Sequence, residues 1–346
     1  MTAGLSAALR RMGHEVTDCP LPAGDQIHPA AFEALKAGLP EIQNAGAQSR
    51  SDGTPLQDQD AILVSGPEWV GPWLDAIYGK YEWKNLGIPR AGWYHESFFR
   101  EDRVIDFDEV AWISDEHFFP ACQDAEFFDQ EHFAKGRAYW LPFGVDTQVF
   151  KLGDRGQGSG CSGLHESRVT NHESRKYDIA FVGLMYEKRA KYLAALSKHN
   201  HPPIRFGNVQ VQDLSGSRMR DSAELLAENY SQVKVFLNLP SLSQLLVSKV
   251  CEVMACGTFL LTPMLAPERG ANKNMAPFEL GKHLVYYRPA HLGGLAQALR
   301  EWSSDEKSGE RKAIARAGCE EVHSKHRLEQ RLEMILERVG LRVALA

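Results

Sequence analysis

A serine, a lysine and a glutamate lie close together in the second half of the chain, in a pattern suited to nucleotide binding. They are Ser248, Lys249 and Glu252. A serine can cap the start of a helix, and a helix start at the carboxyl edge of a parallel sheet can hold a phosphate. An acid one turn further in can accept hydrogen bonds from ribose hydroxyls, as acids do in dinucleotide folds. These residue types predict a nucleoside-diphosphate ligand.

The elements that position these residues are a short helix and a buried strand. Val250, Val253 and Met254 recur at helical spacing and form an inward face. Gly257 predicts the end of this helix, and the apolar run over 258–262 predicts a buried strand. A lone acid on such a helix can equally be solvent-exposed, or can pair with the neighbouring lysine. We favour the ribose contact because this acid lies within a longer signature over 248–262.

A second group of basic residues follows another predicted strand in the same half. Residues 179–182 predict a buried strand that ends at Gly183, and Lys188 and Arg189 begin the next helix. Glycine lets a backbone approach a phosphate or sugar closely. A departing nucleoside diphosphate gains negative charge, which nearby cations stabilise. We therefore predict that this glycine and these cations, together with Lys249, contact the diphosphate. Surface charges and an ordinary turn are the alternative.

In the first half, a histidine and a glutamate follow a predicted strand over 88–94. The carboxyl ends of parallel strands face the ligand crevice in open sheets. His95 can orient a sugar or an acceptor there, and Glu96 can serve as the general base for an acceptor hydroxyl. A polar turn at a strand end is the alternative. A further predicted strand, over 110–114, is followed by polar residues at 115–117. No metal-ligand spacing accompanies these residues, and we expect no metal site.

The stretch over 248–262 resembles the donor-site signature of GT-B glycosyltransferases of the retaining, group-1 type, including the branch related to the spore-maturation protein CgeB. That pattern runs roughly Ser-Arg-x-x-Glu-x-x-Ala-x-Gly before a short apolar strand ending in Thr. This chain keeps the glutamate, alanine, glycine and final threonine, and has Lys249 where arginine is usual. Many retaining relatives carry a second acid eight residues before the glutamate. This chain has Gln244 there, which we include among the expected donor-site residues.

Other segments resemble the same family in the expected order, at 140–146, 177–189, 278–287 and 313–326. The resemblance implies an α/β protein with the GT-B fold, in which two Rossmann-like domains carry parallel sheets that face each other across a cleft. It implies an acceptor-side domain over 1–148, a linker or surface insertion over 149–176 and a nucleotide-sugar-binding domain over 177–324. A C-terminal helix within 325–346 would then pack back on the first domain.

The resemblance also implies a reaction, in which a sugar passes from a nucleoside diphosphate to a hydroxyl acceptor with retention of configuration. The expected donor is a UDP-sugar, and no essential metal or other cofactor is expected. The acceptor is open at this point: a glycan, a small molecule or a hydroxymethylated pyrimidine in DNA all fit. Two other classes of protein also fit, a non-catalytic GT-B-like binding protein and a nucleotide-sugar epimerase of the same fold.

The overall composition suits a two-domain protein with ordinary cores. The chain has 346 residues, of which 43% are hydrophobic and 24% charged, with a formal net charge of −6. This balance gives no general indication of nucleic-acid binding. The six cysteines are scattered without a CxxC pair, and no apolar run is long enough to span a bilayer. We therefore expect reduced thiols and a cytoplasmic protein. A helix predicted over 3–12 opens the chain where a Rossmann-like domain would first have a strand, so we expect a missing strand or an unusual first domain.

Overall fold

The structure, a computed structural model, describes residues 2–16, 61–98, 107–130, 134–152, 175–183, 185–207, 216–241, 245–265 and 273–341. Within these ranges the chain forms two parallel sheets with helices packed on them. The predicted α/β class and the predicted pair of parallel sheets are confirmed. No helix within the described ranges has the length and apolar character needed to cross a membrane.

The first domain is built on a four-stranded parallel sheet in the order β1–β2–β3–β4. Its strands are short and largely buried, as expected of parallel strands covered on their faces. The large rings of Trp83, Tyr94, Phe98 and Phe119 fill the core on one side. The elements are α1 (Thr2–Arg11), β1 (Ile62–Ser65), α2 (Pro67–Tyr78), α3 (Lys80–Lys84), β2 (Arg90–Trp93), two 3-10 helices (Phe107–Glu109 and Ala111–Ile113), β3 (Glu116–Phe119), α4 (Cys122–Gln130) and β4 (Ala138–Trp140).

The second domain has a five-stranded parallel sheet in the order β6–β5–β7–β8–β9. Its central strands are mostly apolar and bury Phe181, Val235, Phe259 and Leu261 in one hydrophobic cluster. The elements are β5 (Tyr177–Val182), α5 (Glu187–Leu196), β6 (Arg205–Gly207), α6 (Gly216–Ser231), β7 (Val233–Leu237), α7 (Lys249–Ala255), β8 (Phe259–Pro263), β9 (Val285–Tyr287), α8 (Leu292–Ser303), α9 (Ser308–Lys325) and α10 (Leu328–Arg338).

The last helix crosses to the first domain. Leu328, Leu332 and Ile335 of α10 share a buried cluster with Leu5 and Ala8 of α1. This contact is expected from the amphipathic pattern of both helices, since each must bury one apolar face. The segment after β4 joins the crossing through two backbone hydrogen bonds. The Val145 N–H donates to the His326 carbonyl at 3.0 Å, and the Leu328 N–H donates to the Val145 carbonyl at 2.9 Å.

The predicted strand over 110–114 is wrong. Residues 111–113 form a 3-10 helix, and β3 begins at Glu116 instead. Short apolar runs do not distinguish a strand from a buried turn, which explains the error. Asp115 consequently lies at the start of a strand, where it pairs with the buried Arg90 at 2.6 Å. His117 lies inside β3 and its Nδ1 is 3.0 Å from the Tyr94 hydroxyl. Both residues support the sheet and lie away from its carboxyl edge.

Candidate functional site

The loops after β5 and before α7 meet at the carboxyl edge of the second sheet. Gly183 directly follows β5 and has a φ of +154°, and α7 starts at Lys249. A Cβ placed on this glycine would lie 2.6 Å from Lys249 Nζ, 3.0 Å from the Phe181 ring and 3.6 Å from an Arg189 guanidinium nitrogen. The backbone therefore approaches Lys249 Nζ more closely than a side chain here would permit, and Arg189 lies at ordinary contact distance beside it. We call Gly183, Arg189 and Lys249 the basic cluster.

Aromatic rings hold the two cations of the basic cluster in place. The Arg189 guanidinium lies 4.5 Å from the centre of the Tyr186 ring and 5.2 Å from that of Phe181. Its Nε donates to the Pro240 carbonyl at 3.2 Å. Lys249 Nζ lies 4.8 Å from the same Phe181 ring. Such cation–π contacts stabilise a positive charge without neutralising it, so the cluster keeps its attraction for an anion.

The two cations disfavour each other's charge. Burial, followed by repulsion from Arg189, lowers the pKa of Lys249 to about 8. Burial also lowers the pKa of Arg189. Among the described residues, no carboxylate lies within ion-pair distance of Lys249 Nζ, although Glu252 is near enough to raise the lysine pKa slightly against these effects. A doubly negative ligand bound here would relieve this repulsion.

Glu252 lies on α7, one turn after Lys249, and is half-buried. Its Oε2 accepts a hydrogen bond of 3.3 Å from the hydroxyl of Tyr230, a fully buried residue of α6. The same carboxylate helps to raise the pKa of Tyr230, after burial. The tyrosine orients the carboxylate and uses one of its oxygens, which leaves acceptor capacity for a ligand hydroxyl.

The other sequence-predicted donor residues have different outcomes. Ser248 adopts helical backbone angles and makes no capping hydrogen bond, so its expected role as a side-chain cap of α7 is wrong. Lys188 is exposed on α5, whereas its neighbour Arg189 is buried. Gln244 lies outside the described residues. Sequence spacing alone did not distinguish the buried cation from the exposed one.

A second group of polar residues lies at the carboxyl edge of the first sheet. The Ser65 hydroxyl, at the end of β1, is 2.9 Å from His95 Nε2, just after β2. The rings of Trp69 and Trp93 contact this imidazole edge-on, with centroids at 5.4 and 6.4 Å. Burial lowers the pKa of His95 to about 3, so the imidazole is neutral near pH 7. We call Ser65, Glu68, Trp69 and His95 the histidine cluster.

Sequence reasoning missed Glu68, which is on α2. Its Oε1 accepts hydrogen bonds from the backbone N–H groups of His95 at 2.7 Å and Glu96 at 3.0 Å. Its Oε2 is buried without a hydrogen-bond partner. Glu96, the sequence candidate for a general base, is half-buried beside it. A signal was present in the sequence, because Glu68 follows the apolar run over 61–64 and a Gly-Pro pair that marks a helix start.

Phe143 contacts both His95 of the histidine cluster and the helix α7. Its ring lies 6.3 Å from that of His95, and its carbonyl accepts a hydrogen bond of 3.7 Å from the Cys251 thiol on α7. Leu245, which precedes α7, is buried in one cluster with Trp93 and Phe143. The helix that carries Lys249 and Glu252 therefore packs against the same residue as the histidine cluster.

In the described part of the chain, no group of three or more histidine, cysteine, aspartate or glutamate side chains is arranged to hold a metal ion. The four cysteines within that part are buried as free thiols.

Comparison with known proteins agrees with this architecture. Residues 209–337 match a family model described as glycosyl transferase-like. This match includes α7 and the basic residue Lys249, and it confirms the glycosyltransferase-like domain predicted from the sequence. No curated protein gives a sequence match to the chain.

Solved structures share this architecture over 79–82% of the chain. HepE from Anabaena, solved with UDP-glucose, superposes with a TM-score of 0.53 at 12% identity, over 80% of this chain and 78% of that one. The fold is GT-B. A trehalose-phosphate synthase from Burkholderia xenovorans gives 0.53 at 16% identity, over 82% and 74% of the two chains. Sucrose-phosphate synthase from Thermosynechococcus elongatus gives 0.51 at 16% identity, over 79% and 71%.

Proposed function

We propose that this protein transfers a sugar from a nucleoside diphosphate to a hydroxyl acceptor. The observation that carries the proposal is the basic cluster. Two cations, Arg189 and Lys249, converge on the backbone of Gly183 at the carboxyl edge of a parallel sheet. Among the described residues, Lys249 has no ion-pair partner of its own. Two cations held this close together suit a doubly negative diphosphate.

The donor contacts follow from the geometry of this cluster. The diphosphate lies against Gly183 between the two cations, and Glu252 accepts hydrogen bonds from the ribose. UDP is the expected nucleotide, and the UDP-glucose complex of HepE, which has the same fold, supports this choice. Lys188, Ser248 and Gln244 remain in the proposal as further donor-site residues.

The acceptor occupies the edge of the first sheet beside the histidine cluster. His95 is neutral near pH 7, so it can donate or accept a hydrogen bond from a sugar hydroxyl without a charge change. Of the aromatic residues around it, Trp93 and Tyr94 are buried, whereas Trp69 is 48% exposed. An exposed indole held by His95 offers a flat apolar surface to a ring.

The transfer breaks the bond between the sugar C1 and the β-phosphate oxygen, and forms a bond from C1 to the acceptor oxygen. The acceptor proton passes to the leaving phosphate oxygen in a front-face attack, which retains the configuration at C1. The basic cluster stabilises the charge that develops on the departing diphosphate. Glu96 is the alternative base for the acceptor proton, and closure of the two domains excludes water.

The donor site is tested by thermal shift with UDP, GDP, ADP, TDP and their sugars. The wild type should be stabilised by one nucleotide, and Glu252→Ala should lose most of that shift. Tyr230→Phe is the matched control, because it removes the hydroxyl that contacts Glu252 but leaves the carboxylate. A shift that survives in Glu252→Ala would remove this residue from the site. The absence of any shift with wild type would instead favour a binding protein without a nucleotide donor.

A nucleotide that passes this test defines the donor for an acceptor screen. Glycans, small alcohols and duplex DNA with hydroxymethylated pyrimidines are each incubated with the radiolabelled nucleotide sugar. The anomeric configuration of the product decides between retention and inversion. Conversion of the sugar without any acceptor would identify an epimerase.

A further inference from the structure

Two carboxylates from different helices hold the turn that follows β2. We define this turn as residues 95–98. A single oxygen of Glu68 on α2, Oε1, accepts hydrogen bonds from the first two backbone N–H groups of the turn. Asp124 of α4 accepts a hydrogen bond of 3.1 Å from the Ser97 hydroxyl on Oδ1 and one of 2.9 Å from the Phe98 N–H on Oδ2. Side-chain acceptors therefore satisfy three backbone N–H groups of the turn, those of His95, Glu96 and Phe98, and the hydroxyl of Ser97.

Neither carboxylate has a cation in these contacts. Asp124 is fully buried, and Glu68 Oε2 is buried without a hydrogen-bond partner. Burying a carboxylate without a counter-ion costs free energy, which is partly recovered through hydrogen bonds from backbone N–H groups. Apolar residues at these two positions would leave the N–H groups of the turn without acceptors, so the two carboxylates fix the turn in one conformation.

We propose that Glu68 and Asp124 are positioning residues, which hold the turn over 95–98 so that His95 and Glu96 face the acceptor. This inference rests on the proposed function in one respect, the placement of the acceptor beside His95. The two carboxylates act through the turn and do not touch the substrate themselves. Glu68 sets the positions of His95 and Glu96 directly, and Asp124 holds the other end of the same turn.

The strength of the two hydrogen bonds that Glu68 accepts from the turn depends on its ionisation. Burial raises the pKa of this carboxyl to about 7 despite the backbone hydrogen bonds, and the charge of Glu96 raises it further. The titratable groups that face it are Tyr94, His95 and Glu96. His95 and Tyr94 are both neutral near pH 7, because burial lowers the first pKa and raises the second. A proton added to Glu68 goes to the unpartnered Oε2, and the neutral acid then accepts the two N–H bonds more weakly.

Asp124 responds over the same pH range. Burial raises the pKa of its carboxyl to about 7, against hydrogen bonds from Phe98 and Ser97 that lower it. On α4, the charge of Asp124 adds to the rise in the pKa of the Cys122 thiol, which burial mainly causes. Both ends of the turn are consequently held by charge-assisted hydrogen bonds above pH 7 and by weaker neutral ones below it.

The first test follows the turn itself and needs no substrate. The backbone amide of His95 is observed by NMR in protein labelled with ¹⁵N-histidine, and its signal is assigned by its loss in His95→Gln. We expect its proton shift to titrate with a midpoint near pH 7 in the wild type. Glu68→Gln keeps an oxygen for the two N–H groups but cannot ionise, so this titration should disappear. An unchanged titration in Glu68→Gln, or none in the wild type, would overturn the inference.

Asp115→Asn is the matched control for this test. Asp115 also accepts a backbone N–H bond on β2, from Arg90 at 3.0 Å, but at the opposite end of the strand. The His95 amide should titrate in this variant as it does in the wild type. Asp124→Asn should remove the titration of the Phe98 amide, observed with ¹⁵N-phenylalanine labelling, and leave that of His95 in place.

The second test measures release of UDP from UDP-glucose, with water as the acceptor, between pH 5.5 and 8.5. Glu68→Gln should match the wild type at low pH and fall about tenfold to a hundredfold below it in kcat at pH 8, because the turn is misplaced. Its KM for UDP-glucose should be unchanged. Loss of UDP binding in the wild type would count against the proposed function alone, whereas equal pH profiles in the two proteins would count against Glu68.

Discussion

The surroundings of Lys249 lower its pKa, which links its protonation to the binding of an anion. Its Nζ lies over the Phe181 ring and close to Arg189, with a pKa of about 8. A lysine in water titrates near 10.4, so burial and the neighbouring Arg189 disfavour the charge of Lys249. A bound diphosphate would reverse this effect, because an opposite charge at close range favours the ammonium form. Binding and protonation are therefore linked at this residue.

This linkage predicts a pH dependence for UDP affinity. The lysine is charged in both states below pH 8, so the Kd should be constant there. Above pH 8 the free protein must take up a proton on binding, and the Kd should rise about tenfold per pH unit until the pKa of the bound state is reached. Calorimetric titrations between pH 6.5 and 10 measure this slope.

Lys249→Arg is the informative control for that experiment. Arginine keeps the charge at this position and stays protonated throughout the range. The variant should bind UDP with a nearly flat pH profile, and Lys249→Met should bind weakly at every pH. The same slope in the arginine variant would assign the titration to another group.

At the scale of elements, the junction between β5 and α5 decides whether the cations can meet. Gly183 directly follows β5, and its φ of +154° would be strained for any other residue. Arg189 lies on the buried face of α5, and Lys249 is the first residue of α7. The glycine satisfies two requirements at once, since it adopts this backbone conformation and leaves room for Lys249 Nζ.

Gly183→Ala should abolish nucleotide binding while the protein stays folded. Its Cβ would lie 2.6 Å from Lys249 Nζ, so the lysine must leave its position over Phe181. Gly281→Ala is the matched control, because Gly281 has a φ of +76° and a Cβ there meets nothing within 4 Å. Each substitution should lower stability by about 1 kcal/mol through backbone strain. Thermal melts with and without UDP separate this shared cost from the loss of binding.

At the scale of the whole molecule, a few polar contacts join the two domains. Asn274 of the second domain accepts the Cys122 N–H at 2.7 Å, at the start of α4, and donates to the Gln123 side chain at 2.7 Å. Lys273 beside it pairs with Glu126 at 2.6 Å. α4 also carries Asp124, which holds the turn over 95–98. The second domain thereby contacts the same helix that supports the histidine cluster.

Asn274→Ala should destabilise the protein by about 1–2 kcal/mol, since it leaves the buried amide of Cys122 without its acceptor. Lys273→Ala should leave the thermal midpoint unchanged, because its partner is exposed and water replaces the ion pair. Differential scanning calorimetry of the two variants measures both effects. Equal midpoints for Asn274→Ala and the wild type would show that the contact adds nothing to the domain interface.

The sequence predicted the elements of the second domain closely. Strands and helices there follow strong patterns: β8 was expected over 258–262 and covers Phe259–Pro263, and the helix expected within 325–346 covers Leu328–Arg338. The first domain was harder, and α4 and β4 were not predicted at all. Asp124 was missed for that reason. A short helix with several charged residues has little apolar periodicity, so the signal that identifies α8 or α10 is weak there.

The sequence by itself determined the fold class, the glycosyltransferase-like second domain and the candidate residues at its strand ends, because hydrophobic period and glycine position depend on local chain order. Tertiary structure alone decided that Arg189 is buried beside Lys249 while Lys188 is exposed, and that Ser248 caps nothing. It also decided that Glu68 and Asp124 converge on one turn. Burial and convergence depend on elements far apart in the chain, so the charge state and orientation of these side chains were set only once the sheets had formed.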